Sequence, residues 1–142
     1  LVQREYEFHL DGWIWLRIAD VTALKSSPIN AFHKTLLEDE GVFETIDFDQ
    51  EMPSGGIEQL LGQFDRSKVV ILEKETEDEE DDEFNIGFIR EVAAGEVSID
   101  FFSGDAKIED EVRIMNLSEI TSISYDSSYT LHYERYFKRQ SS

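Results

Sequence analysis

The chain has 142 residues, enough for one ordinary domain or two small units sharing a core. With 40% hydrophobic residues, 12% aromatics and ten Phe it carries too much apolar mass for a disordered chain, while its apolar runs are too short to span a bilayer. Thirty-two acids face 13 bases, a net charge of -19 that would repel a phosphate backbone and attract basic proteins or divalent cations.

The same acidity also serves to keep a protein in solution. Zero cysteines exclude disulfides and thiolate metal sites. With no basic-plus-apolar leader in the sequence as it stands, the expected location is the cytoplasm.

In chain order, Trp13 to Arg17 reads as strand and leads into the octet Ile18 to Lys25 (IADVTALK). Ser26-Ser27-Pro28 then supplies a hydroxyl cap and a proline at the first helical position. Ile29, Phe32 and Leu36 recur at helical spacing, so a helix is expected over 28–37, with Gly41 to end it. Val42 to Phe48 reads as extended. Ser54-Gly55-Gly56 opens an amphipathic helix expected over 56–65, with Ile57, Leu60, Leu61 and Phe64 on its apolar face.

Five strands are then expected: Lys68 to Glu73, Phe84 to Val92, Glu96 to Phe102, Glu111 to Asn116 and Ile120 to Tyr125. Gly87 marks a bulge or a close approach of two backbones. The acidic run 77–83 joins the first two strands as a loop. Asp126-Ser127-Ser128 caps a final helix bearing Tyr129, Tyr133, Tyr136 and Phe137.

An offset of 99 residues sets Ile18 to Lys25 on Leu117 to Ser124 (LSEITSIS), and Phe32-His33 on Leu131-His132. Position by position the octets match as aliphatic, small, acidic, β-branched, Thr, small, aliphatic and polar. The repeat implies two copies of one small unit, each octet forming a corner whose aliphatic residues anchor a core. Three segments are expected: an incomplete first barrel unit over 1–41, a connector over 42–67, and a second barrel unit with a terminal helix over 68–142. Nothing in the sequence matches the Lys68 to Val92 strands in the first copy. Either residues preceding Leu1 complete that unit or the middle segment does.

The series VVILEKE, acidic turn, GFIREV, EVSIDFF and LSEITSISYDSSY resembles a group of uncharacterised bacterial proteins with small SH3- or Sm-like barrels. The resemblance covers roughly 54–137, with an echo in 1–38. It implies a fold class: α+β, rich in β, with two related small barrels, each followed by a short helix. It implies no catalytic residue.

Catalytic chemistry finds little to stand on. There is no Gly-x-Ser-x-Gly elbow and no phosphate-cradling loop, and His9, His33 and His132 lack an evident partner. Asp47, Asp49 and Glu51, with Glu58 at position 12 of the same count, match a calcium loop in part. Met52 stands where that loop needs Gly, so no metal and no cofactor is expected. Nucleic-acid binding would need stacking aromatics along a basic track. Phe84, Phe88, Phe101 and Phe102 alternate as a core face does, and the basic cluster is confined to Arg135, Lys138 and Arg139.

The expected function is therefore a non-enzymatic, acidic protein-binding module of inhibitor or immunity type, with a basic partner. Its expected contact residues are Glu77, Asp78, Glu79, Glu80, Asp81, Asp82 and Glu83, together with Tyr129 and Tyr133. A nucleic-acid-associated Sm-like protein is the alternative, and self-assembly is compatible with either reading.

Overall fold

The computed structural model describes residues 1–50 and 53–141. It is a β-rich α+β fold: one antiparallel sheet of seven strands and three α-helices. The strands are β1 (Val2–Tyr6), β2 (His9–Leu16), β3 (Val69–Lys74), β4 (Glu83–Ala93), β5 (Glu96–Phe101), β6 (Arg113–Asn116) and β7 (Ser122–Tyr125). The helices are α1 (Pro28–Asp39), α2 (Gly56–Gly62) and α3 (Ser128–Gln140). Strand order across the sheet is β1-β2-β7-β3-β4-β5-β6.

The centre of the sheet follows from one apolar run. Val69, Val70, Ile71 and Leu72 are all buried, and because side chains alternate along a strand they feed two cores. Val70 and Leu72 join Ile89, Val97, Ile99, Met115, Ile120 and Ile123, covered by Leu60 and Leu61 of α2. Val69 and Ile71 join Ile86, Phe88 and Phe102 on the other face, against Tyr133 and Phe137 of α3. Phe102 is wholly buried, its ring 4.8 Å from Tyr133 and 5.0 Å from Phe137.

Both long helices begin as the sequence dictates. Ser27 accepts the N–H of Asn30 while the Asn30 amide oxygen accepts the N–H of Ser27, a reciprocal cap, with Pro28 in the first turn. Ser127 likewise accepts the N–H of Thr130 at the start of α3. The Glu134 carboxylate of α3 takes the N–H of Val69 at 3.0 Å, which docks the helix on the first residue of β3. Beside it Lys68 pairs with Asp126 and Glu134. Partial burial opposes the ammonium charge there, but the two carboxylates outweigh it and hold Lys68 above its ordinary range.

The two halves of the chain meet in this sheet. β2 pairs with β7 in the register Trp13 to Tyr125, Ile14 to Ser124, Trp15 to Ile123 and Leu16 to Ser122. Among the described residues the middle segment adds no strand to β2; the C-terminal half supplies it. Gly12 makes the approach possible. Its φ is +74°, and a Cβ there would overlap the backbone of Tyr125, Asp126 and Ser127. Arg17 then donates to the carbonyls of Ile120 at 2.7 Å and Leu117 at 3.3 Å, so the residue before the first octet holds the turn of the second.

The octets themselves diverge. Leu117, Ile120 and Ile123 are buried, and the second copy turns and enters β7 as expected. The first makes a 3-10 turn at Ile18–Asp20 and then runs without regular structure, with Ile18 and Leu24 exposed. It anchors no core: every residue from Ile18 to Lys25 is exposed. Ile29 and Phe32 of α1 also stand in solvent, and of that helix only Leu37 is buried. The stretch 42–48 is a short 3-10 turn at Phe43–Thr45 with irregular flanks instead of an extended segment. Helix α2 stops at Gly62, short of the expected 65. Gly87 is a close approach and not a bulge: a Cβ would overlap the Asp100 carbonyl, while the register shift of β4 falls between Ile89 and Glu91.

Gly12→Ala, which combines a positive φ with backbone overlap, is expected to cost about 2–4 kcal/mol. Urea unfolding of wild type and variant checks it.

Candidate functional site

Six acids of the run, Glu77 to Asp82, lie in the loop from β3 to β4, while Glu83, expected in the loop, opens β4 opposite Lys74; the loop is ordered from within. The N–H of Thr76 donates to Asp82 Oδ1 at 2.6 Å, and the Thr76 hydroxyl donates to the Asp78 carbonyl at 2.6 Å. Asp78 Oδ1 in turn accepts the N–H of Glu80, starting a 3-10 turn at Glu79–Asp81. At the base, Lys74 sits between Glu83 at 3.5 Å and Glu119 at 3.2 Å. The Glu119 hydrogen bond, foremost, raises the Lys74 ammonium above its ordinary range.

These bonds divide the seven acids by role. Asp78, Asp82 and Glu83 hold the loop's shape. Glu77, Glu79, Glu80 and Asp81 are exposed and form no ion pair among the described residues. Four carboxylates therefore share a short, shaped projection, a concentrated negative field at a fixed point of the sheet.

The two tyrosines also separate. Tyr133 is half-buried: its ring lies against Phe102, and its hydroxyl donates to the Gly104 carbonyl at 2.9 Å. Tyr129 meets Tyr133 edge-on at 5.2 Å but keeps half of its own surface in solvent. Both line an open groove of about 740 Å³ on the α3 face of the sheet, with Tyr6, Ile71, Phe84 and His132. Phe84 directly follows the acidic run, so groove and loop adjoin. Its alternation with Ile86 and Phe88 reads as a core face, yet Phe84 is 51% exposed while the other two are buried. Only its neighbour Glu83, the last of the charged run, marks it in the sequence as lying at the sheet's rim.

Of the expected metal positions, Asp47, Asp49 and Glu58 form no shared cluster among the described residues. Asp47 Oδ1 accepts the N–H of Asp49 in a local turn, Glu58 belongs to α2, and Glu51 lies outside the described residues. Among the described residues no three His, Asp or Glu side chains are grouped to hold a metal ion. His33 meets the Phe8 ring at 4.8 Å, and His132 Nδ1 lies 2.6 Å from the Ser128 carbonyl of its own helix. No helix among the described residues is long and apolar enough to cross a membrane. Comparison with protein-family models, with curated proteins and with solved structures gives no match for this chain.

Replacement of the two tyrosines should part them. Tyr133→Ala removes a ring from the Phe102 cluster and is expected to cost about 2–4 kcal/mol, whereas Tyr129→Ala should cost below about 1 kcal/mol. Denaturant midpoints of the two variants decide this.

Proposed function

We propose that the chain is a non-enzymatic binding module whose acidic loop, with the aromatic groove beside it, receives a basic segment of a protein partner. The observation that carries this reading is the self-bonded loop itself, with Glu77, Glu79, Glu80 and Asp81 turned to solvent and Phe84 leading directly into the groove. A shaped loop loses less entropy on binding than a mobile acidic tail does. Its field would steer a cationic partner and speed encounter, and exposed Phe84 and Tyr129 offer ring faces to Lys or Arg side chains. Tyr and Phe of this kind are enriched at protein interfaces. An inhibitor or immunity-type protein that covers a basic surface is the most concrete form of this reading, in the cytoplasm, where a chain without cysteine is at home.

The strand order also supports a small SH3- or Sm-like barrel over α2 to β7: five antiparallel strands in sequence, the last returning to pair with the first, preceded by a short helix. Such a unit leaves the loop between its first two strands free for contacts. A second reading draws on a different place. Arg66, Arg135 and Lys138 line one groove of about 700 Å³ with Phe88 and Phe137, a small basic site of the kind that a nucleic acid would use.

Capture from the native host's lysate at low salt, comparing wild type with a variant carrying Glu77→Gln, Glu79→Gln, Glu80→Gln and Asp81→Asn, tests the proposal. A basic protein retained in stoichiometric amount, released by salt, and held about tenfold or more weakly by the variant is the expected result. Equal retention by the variant would overturn it. Nucleic acid in the eluate, lost on Arg66→Ala with Arg135→Ala, would favour the second reading.

A further inference from the structure

The chain contains one strand junction that is filled and an equivalent one that is open. By the 99-residue offset, Trp13–Leu16 of β2 corresponds to Val112–Met115, essentially β6, and β7 corresponds to Ala23–Ser26. In the first instance β7 occupies the edge of β2. In the second, β6 pairs only with β5 and ends the sheet. The segment equivalent to β7 is equally without a partner. Val21 to Ser26 is exposed, belongs to no strand, and Thr22 to Lys25 donate no backbone hydrogen bond among the described residues. Both halves of a repeated junction thus stand open in one molecule.

We propose that the first octet of one copy adds as an antiparallel strand to the β6 edge of a second copy, in the register that β7 takes on β2. The geometry of the filled junction fixes the pairs. Leu16 with Ser122 becomes Met115 with Ala23, and Trp15 with Ile123 becomes Ile114 with Leu24. That last pair joins two of the most exposed apolar side chains of the molecule, Ile114 at 63% and Leu24 at 94%. An edge strand offers unpaired backbone groups to an incoming strand, and an aliphatic pair across it adds apolar contact on one face. Lys25 falls opposite Arg113, whose guanidinium already holds Glu109 at 3.0 Å, so it meets an ion pair and not a lone cation.

The contact is head to tail: each copy gives an octet to one neighbour and a β6 edge to another. Because each copy carries -19, association should strengthen as salt screens the repulsion. That dependence is opposite to the one expected of a basic partner on the acidic loop, and the two proposals stand or fall separately.

Complementation tests the register. Leu24→Asp spoils the octet but leaves β6 intact; Ile114→Asp does the reverse, and both sites are exposed enough to leave the fold alone. In sedimentation at about 0.5 M salt, wild type should gain mass with concentration, and either variant alone should associate about tenfold or more weakly. An equal mixture of the two variants should form a dimer, since one intact octet meets one intact edge. The absence of cysteine adds a second readout: Leu24→Cys mixed with Ile114→Cys, in an oxidising glutathione buffer, should cross-link 24 to 114 in preference to 24 to 24. Wild type that keeps single-chain mass at every concentration would overturn the proposal. So would a variant mixture that stays monomeric, or cross-links dominated by 24 to 24.

Discussion

Everything distinctive about this molecule depends on β2 lying against β7. A four-residue strand at the end of a sheet is a weak element, with one ladder of hydrogen bonds and an open edge. Between β2 and β3 the same four residues, Ser122 to Tyr125, are all buried and bonded on both sides. Gly12 lets the strands close, Arg17 satisfies two carbonyls of the turn that feeds β7, and Asp11 accepts the N–H of Ser128 in the first turn of α3. An acid at that point also faces the positive end of the helix dipole. One junction therefore sets the strand, the turn before it and the helix after it.

The proposed binding surface inherits that order. Glu119, within the turn that Arg17 holds, shares Lys74 with Glu83, so the base of the acidic loop is tied to the same junction. Thr121 accepts the N–H of Glu75 and donates to the Glu73 carbonyl, fastening the strand that leads into the loop. The groove has the same origin: Tyr6 arrives with β1, Tyr129 and Tyr133 with α3, and Phe84 with β4. A dense negative loop is stable in such a place because its anchoring bonds are short and local, while its free charges face water.

The parts legible in the sequence are those governed by local pattern. The run Val69 to Leu72, the alternations of β4 and β5, and the Ser27 and Ser127 caps all state their structure within a few residues. Less legible was whatever turns on a distant partner. The β1–β2 hairpin reverses at Glu7 and Phe8, both with positive φ, where Asn-Gly would have announced the turn. The two octets share a pattern, but only one finds a strand on each side, and no spacing within an octet encodes its neighbours. Ile29 and Phe32 sit at helical spacing as core residues do, yet both are mostly exposed. Phe84 misled for the converse reason: its alternation is that of a core strand, and the core ends one residue pair before it. The acidic run is legible as a loop up to Asp82, with Glu83 already in β4, and its division into bonded and free carboxylates is not, because Thr76 and Lys74 decide it.

Native-state hydrogen exchange on the full chain tests most directly whether the two halves form one sheet. The amides of β2 that pair with β7 should open together with those of β7 and β3, with the same free energy and the same denaturant dependence. Exchange of β2 at the rate of an unstructured strand, while β3 and β7 remain protected, would contradict the joined sheet and leave the N-terminal hairpin as an appendage.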